Sequence, residues 1–412
     1  MGNKFKTSLN RKLNLGYCLV QKVVNFQKKE SKKNLIVLHD KGFGDVICAL
    51  DALKKLSKLY PLSEGHLVYI ATSAKMYNFL LELNCTYDYE FIILELENDS
   101  CEKFSVFKEN FKKLNAHSWN DCLVFNRIGK NLRLLLASLS IKHSYRVESR
   151  DNLEKENYLT KIISSLIPNC KMIPIRSNLL MFDLFTVLLQ AVKPELNLKV
   201  GVGWIPVLKT NLVLKKGYCI VSSGLGAKHN HLYRAWPLER FAKVIDYITT
   251  NLGLKVYLCG SCDDEKANRK VYELVENKKE VIDLTGKTSI KEWVEITRGA
   301  EFVFGNDSGY IHLATAVNTQ AFVLLGFWNY GKFFPYLKTK GSNKRPILIT
   351  SNEPKCSSCD RVCFWDSKNK AAFKFYKLCK ENIVKKKVYN CIDAISSFDV
   401  ICVLENYYKK NL

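Results

Sequence analysis

Five loop segments of this chain carry residue types that can do chemistry. The first is His39-Asp40-Lys41-Gly42-Phe43-Gly44-Asp45, which follows the apolar run Leu35–His39. Gly42 and Gly44 allow a tight backbone turn and close approach by a ligand. Asp45 then stands at the start of a helical stretch, and two readings fit it. It is either an N-cap, favoured by the macrodipole, or a general base. The dinucleotide fingerprint is absent, because the third glycine is missing at the required spacing.

The second segment is Asn306-Asp307-Ser308-Gly309-Tyr310-Ile311-His312, again strand to helix. Amides of Ser308 and Gly309 at a helix start make a natural seat for phosphate. Asp307 suits sugar hydroxyls better than phosphate. His312, one turn on, is either part of that pocket or a satisfied half-buried histidine. The third is Ser222-Ser223-Gly224, followed by Arg234-Ala235-Trp236-Pro237. Its hydroxyls and the fork of Arg234 fit phosphate oxygens, against the plainer reading of a surface loop. The fourth, Cys259-Gly260-Ser261-Cys262 with Glu265 beyond, offers a carboxylate for ribose hydroxyls or merely a first-turn acid. The fifth is Cys356-x2-Cys359-x3-Cys363, with Cys391 further on. Its first pair has zinc spacing, but a second compact pair is missing, so structural thiols are the main expectation and a metal the lesser one.

These loops need strands and helices to aim them. From residue 35 the chain alternates short β-branched runs with amphipathic stretches: strands at 35–39, 67–71, 91–96 and 121–125, helices at 45–59, 74–83 and around 103–115. The pattern blurs between 150 and 200, with helical stretches at 155–166 and 179–192 broken by prolines. Loop character at 209–217 marks a linker. A second series follows: strands at 217–223, 255–260, 281–284, 301–306 and 321–326, with helices at 237–251, 263–277, 289–299 and 308–316. Strand–helix alternation predicts α/β units with parallel, doubly wound sheets, whose ligands sit beyond the carboxyl ends of the strands.

Composition bounds the function. The 412 residues are 47% hydrophobic and 25% charged, which fits two globular domains and excludes wholesale disorder. The net charge of +23 predicts anionic company. Residues 1–34 hold nine Lys and Arg against one acid, and residues 366–412 hold ten Lys against five acids. A nucleic-acid binder would interleave cations with stacking aromatics along one face, whereas here the charge piles up at the ends. The stretch 13–26, with Leu15, Leu19, Val20, Val23 and Val24 among basic residues, reads either as an interfacial helix or as part of a solvated tail. No run is long and apolar enough for a transmembrane helix, and no signal peptide is evident, so the 15 cysteines are expected mostly as buried thiols in a reducing cytoplasm.

Taken together, the motifs resemble glycosyltransferase family 9, the ADP-heptose:lipopolysaccharide heptosyltransferases. The resemblance spans about 35–365. It rests on Gly44-Asp45-Val46, Arg234-Ala235-Trp236-Pro237, Asp283-Leu284-Thr285-Gly286-Lys287-Thr288-Ser289 and the run from Asn306 to Ala314. The late cysteines with Asn390-Cys391-Ile392 also look like the tail of the family's second-heptose enzymes. Four differences stand out: Arg234 replaces a usual Lys, Tyr310 a common Pro, Leu50-Asp51-Ala52 a segment with Pro, and Gly326-Phe327-Trp328 a Gly-Pro-Thr.

That resemblance implies a GT-B fold, two Rossmann-like doubly wound domains facing across a cleft. The expected division is a basic N-terminal extension (1–34), an acceptor domain (35–208), a nucleotide-sugar domain (209–365) and a basic helical tail (366–412). It implies an inverting transferase moving heptose from ADP-heptose to lipid A–Kdo or the heptosyl inner core of lipopolysaccharide. Asp45 would be the base. Ser222, Ser223, Arg234, Ser308 and Gly309 would hold the diphosphate, Glu265 the ribose and Asp307 the sugar, with Thr288 by the nucleobase and His312 in the same pocket. No cofactor or metal is required by this reading. The expected partners are the donor and an anionic lipid-linked glycan, with the enzyme cytoplasmic and peripheral on the inner membrane. The alternatives are another nucleotide sugar with a different glycan or protein acceptor, and a basic nucleic-acid-binding protein.

Overall fold

The computed structural model describes residues 10, 12–21, 31–38, 42–95, 103–125, 129–149, 165–167, 170–175, 181–212, 216–225, 234–326, 333–336, 344–351, 385–386 and 390–411. The chain divides into two compact units, Met1–Gly203 and Trp204–Leu412.

In the first unit, a helix over residues 12–21 (α1) precedes β1 (Lys33–Val37), α2 (Phe43–Leu59), β2 (Leu67–Thr72), α3 (Ala74–Glu82), β3 (Glu90–Ile93), α4 (Phe104–Asn115), β4 (Trp119–Val124), α5 (Lys130–Ala137), β5 (Ile141–Ser149), β6 (Cys170–Ile175) and α6 (Met181–Val192). The six strands pair in parallel in the order β3-β2-β1-β4-β5-β6. β1 and β4 are almost wholly buried because helices cover both sheet faces, which is why their sequences read as continuous apolar runs. The order reverses between β1 and β4, so the loops after these strands flank a switch point.

The second unit repeats the plan with β7 (Tyr218–Ser222), α7 (Leu238–Asn251), β8 (Lys255–Leu258), α8 (Glu265–Leu274), β9 (Val281–Asp283), α9 (Ile290–Gly299), β10 (Phe302–Asn306), α10 (Gly309–Ala316), β11 (Gln320–Leu324), β12 (Ile347–Ile349), α11 (Asn390–Asp393) and α12 (Ser397–Asn411). Its sheet order is β12-β11-β10-β7-β8-β9, all parallel, with the reversal between β7 and β10. Segment 204–208 is bonded into this unit: the Ile205 amide donates to the Ala316 carbonyl, and the Leu208 amide to Glu295 Oε1 at 2.8 Å.

Several sequence expectations shift. The first strand begins at Lys33 rather than Leu35, and the first helix at Phe43 rather than Asp45. β5, β6 and β12 were not expected, because Lys142, His143, Ser144 and Arg146 interrupt β5, and Pro174 falls inside β6. The helical reading at 155–166 falls almost wholly outside the described residues. Helix α1 packs Asn14, Cys18 and Leu15 inward, with Tyr17 edge-on to Phe104, Phe107 and Phe111. The late chain joins the core: Cys391, Ile392, Ile395, Val400 and Leu404 are buried with Trp236, Phe241 and Phe302. Arg240 ties that segment down by donating to the Asp393 and Ile395 carbonyls.

Candidate functional site

At the carboxyl end of β1, Gly42 adopts φ 158° and ψ 160°, a region open essentially to glycine. Gly42 is the N-cap of α2, and Gly44 already lies within the helix, so only the first glycine makes the turn. Asp45 is therefore not the cap. It is the third residue of the first turn, where the open amides favour its negative charge. Among the described residues, no hydrogen bond or ion pair occupies its half-buried carboxylate. Beside it, Phe43 stacks on Phe79 with centroids 4.2 Å apart, which fixes the turn against α3.

In the second unit, the loops after β7, β8, β9 and β10 emerge along one sheet edge, in the spatial order β10-β7-β8-β9. They carry Ser222 and Ser223, then Glu265, then Thr288, and then Asp307, Ser308 and Gly309. Strands β10 and β7 approach closely, with Gly305 level with Ser222. A Cβ on Gly305 would overlap the Ser222 carbonyl, so glycine is required there.

Buried side-chain amides hold these loops in register. Asn306 Nδ2 donates to the Ser223 carbonyl at 2.6 Å, and Asn306 Oδ1 accepts from the Trp236 amide at 3.1 Å. The Trp236 indole donates to the Ile395 carbonyl at 2.8 Å. These bonds fix the stretch that carries the part-buried Arg234. Ser223 Oγ donates to Asn268 Oδ1, and Asn268 Nδ2 donates to the Cys259 carbonyl and, at 2.7 Å, to Thr285 Oγ1. Asn268 thereby ties the loops after β7, β8 and β9 together with every bond satisfied, as a fully buried amide must.

Ser308 is the N-cap of α10 but makes no side-chain cap bond. Its Oγ is shut off from solvent and has no hydrogen-bond partner among the described residues. An unsatisfied buried hydroxyl costs free energy unless a ligand or water completes it. The N-terminal amides of the eight-residue helix α10 begin at the same point.

The other expected residues are placed as follows. Ser222 is buried at the end of β7, and Asp307 is buried in the loop after β10. Glu265 opens α8, is well exposed, and pairs with Arg269 at 2.6 Å. Thr288 is half-buried just before the capping box of Ser289 and Glu292 that starts α9. That box holds the Glu292 carboxyl below its ordinary range through bonds from Ser289. His312 is buried, hydrogen-bonded through Nδ1 to the Tyr336 hydroxyl and stacked on Phe334 at 5.4 Å, so one ring nitrogen is already engaged. The late cysteines Cys356, Cys359 and Cys363 lie outside the described residues, as do Phe327 and Trp328. Cys391 is buried in the apolar core. Among the described residues no cluster of three or more His, Cys, Asp or Glu could hold a metal ion.

The sequence did not single out Asn268, Thr285 or Tyr336. Tyr310, noted only as a replacement, half-buries its ring edge-on to Trp293 at 5.2 Å and shares a hydrogen bond with Cys259. Burial pushes the Cys259 thiol up to about 12 and the Tyr310 hydroxyl well above its usual range. Both stay protonated in ordinary conditions. Such long-range partnerships have no local signal, since Asn268 is simply one polar residue on an amphipathic helix.

Comparison with known proteins adds to this geometry. Residues 221–361 match the family model for glycosyltransferase family 9 (heptosyltransferase). A 117-residue stretch, 28% of this chain, is 33% identical to lipooligosaccharide heptosyltransferase 2 of Haemophilus influenzae. The match spans only 32% of that relative's length. A glycosyl transferase family 9 structure from Veillonella parvula superposes with a TM-score of 0.62, at 17% identity, over 93% of this chain and 98% of that one. The ADP-heptose lps heptosyltransferase II of E. coli gives 0.55, at 16% identity, over 77% and 90%. The resemblance to family 9 read from the motifs is borne out, and so is the expectation of two Rossmann-like units of the GT-B class.

Proposed function

We propose that this chain, whose second unit carries the family 9 match, is a glycosyltransferase that moves heptose from ADP-heptose to the lipid A–Kdo or heptosyl inner core of lipopolysaccharide. One observation carries the reading: the buried Ser308 hydroxyl, without a partner among the described residues, at the start of α10 and beside the β7 loop. A diphosphate is the kind of ligand that such a hydroxyl and a helix N-terminus would complete.

In this reading Ser222, Ser223, Ser308, Gly309 and Arg234 take the diphosphate. As the glycosidic bond to the nucleotide breaks, negative charge grows on the leaving oxygen. Amides fixed by Asn306 and Asn268 need not reorganise to meet it, which is where most of the rate gain would arise. The Ser223 hydroxyl already donates to Asn268, so its contribution to the diphosphate is through its backbone amide. Glu265 and Thr288 take the ribose and base, Asp307 the sugar, and His312 supports the pocket wall through Tyr336.

Asp45 supplies the base. Its carboxylate has no competing partner among the described residues and accepts the proton of the acceptor hydroxyl as that oxygen attacks the anomeric carbon. Attack from the face opposite the departing nucleoside diphosphate inverts the configuration. Atoms balance without a resident metal: the acceptor loses a proton to Asp45, the sugar gains the acceptor oxygen, and ADP leaves. The basic chain ends suit an anionic, lipid-linked acceptor at the cytoplasmic face of the inner membrane. No helix among the described residues is long and apolar enough to cross a membrane, in keeping with peripheral attachment.

The test is direct. Purified protein incubated with ADP-heptose and a truncated core acceptor should transfer heptose, and ADP should bind without acceptor. Absence of both transfer and ADP binding would overturn the reading. Transfer from a GDP- or UDP-sugar instead would keep the fold assignment and replace the donor.

A further inference from the structure

Helix α1 has two faces of different fate. Asn14 and Cys18 are fully buried against the first unit, and Cys18 Sγ donates to the Leu134 carbonyl at 3.2 Å. The opposite face exposes Leu13 at 43%, Leu19 at 47% and Val20 at 60%, with Lys12 and Gly16 between them. Isolated exposed leucines are ordinary, but three aliphatic side chains on one face of a short helix form a stripe.

The neighbouring helix extends this surface. A groove beside α1 is floored by Tyr17 and Phe111 and rimmed by Lys108 and Lys112 of α4. Lys108 Nζ lies 6.0 Å from the Tyr17 ring centroid and 5.8 Å from that of Phe104. Lys103, Lys108 and Lys112 are all exposed, and Glu109 is the one acid of α4. The combined surface carries an aliphatic stripe and several exposed lysines, with Glu109 also lining the groove. No carboxylate pairs with Lys12, Lys103, Lys108 or Lys112 among the described residues.

We propose that the joint face of α1 and α4 docks on an anionic phospholipid bilayer, with Leu13, Leu19 and Val20 entering the headgroup–acyl boundary. Charge complementarity selects this occupant. The α1 side of this face belongs to a segment, residues 1–34, with nine Lys and Arg against one acid, and each basic residue near an anionic surface adds to the attraction. Lysines suit this place because their stems lie along apolar surface while the ammonium stays at headgroup level. The exposed stripe itself is aliphatic, Leu13, Leu19 and Val20, which suits a fluid acyl boundary. For its role in the reaction the inference rests on the lipid-linked acceptor proposed above. The binding itself does not.

Full-length protein is sedimented with phosphatidylcholine vesicles and with vesicles holding about 30% phosphatidylglycerol. It should bind the second and not the first, and added salt should release it. Leu13→Ser with Val20→Ser removes apolar area without altering charge, and should raise the lipid concentration for half-binding about ten-fold or more. Lys108→Gln with Lys112→Gln should do the same at an unchanged thermal midpoint, and this exposed pair decides the matter if the first variant fails to fold. Wild type that ignores anionic vesicles, binds both vesicle types equally, or is matched by the variants would overturn the proposal. So would light scattering that shows a dimer lost in the aliphatic variant. Transfer to a water-soluble core oligosaccharide tests the proposed reaction with no bilayer present, so the two ideas fail separately.

Discussion

Asn306 Nδ2 donates to the Ser223 carbonyl oxygen across 2.6 Å, joining the loop after β10 to the loop after β7. The two residues are 83 apart in sequence, and both are buried. Because the same amide also accepts from Trp236, one side chain holds both ends of the β7 loop against the loop after β10. Asn306→Ala leaves two buried backbone groups unpaired and should cost about 1–3 kcal/mol in urea unfolding, with weaker ADP binding by calorimetry. An unchanged ADP affinity would show that the loops hold their spacing without it.

Asp45→Asn keeps size and polarity but cannot accept a proton at neutral pH. Turnover should fall by about 10²–10⁴, while the dissociation constant for ADP stays put, since the substituted residue and the nucleotide loops lie in different units. Quenched-flow or coupled assays of ADP release give the first number and calorimetry the second. Full turnover in this variant would remove Asp45 from the base role.

Ser308→Ala separates stability from binding. In the free protein the hydroxyl is buried with no partner among the described residues, so its loss should leave the unfolding midpoint unchanged or slightly raised. ADP affinity should drop by about ten- to a hundred-and-fifty-fold, the worth of a hydrogen bond to a charged group. A variant that is less stable yet binds ADP normally would mark the hydroxyl as structural.

Leu404→Ala tests whether the basic tail is part of the second unit. Leu404 is fully buried in the cluster with Phe302 and Ile392, so truncation should cost about 2–5 kcal/mol. A tail lying loosely on the surface would show almost no change in the chemical unfolding midpoint.

Alkaline pH should weaken the fold. Burial raises the Cys259 thiol from 9.0 to about 12, and it pushes the Tyr60 and Tyr310 hydroxyls up as well. These groups are protonated in the folded chain but ionise once exposed, so the unfolded state gains as pH passes the ordinary thiol value. Stability from this source is complete below pH 9.0 and declines towards about pH 12, the raised value of Cys259. Urea midpoints taken at rising pH in reducing buffer should follow that decline, and Cys259→Ala should flatten part of it.

Local patterning alone spelled out the alternation of strands and helices and the doubly wound class. Strands such as β1, β7 and β10 are buried on both faces and therefore spell continuous apolar runs, and loop glycines and serines punctuate them. It also placed Asp45, Ser308 and Arg234 at helix starts, which local spacing decides. Only the tertiary structure decided that Asn268 gathers the loops after β7, β8 and β9, that His312 engages Tyr336, and that residues 390–404 complete a core rather than trail from it. Strands β5 and β6 were equally hidden, since a polar residue or a proline in a strand reads as a loop until its neighbours are known, and β12 is only three residues long. The reason is range. Propensity and periodicity act over a few residues, whereas a hydrogen bond between groups 45 or 70 positions apart exists only once the chain has brought them together.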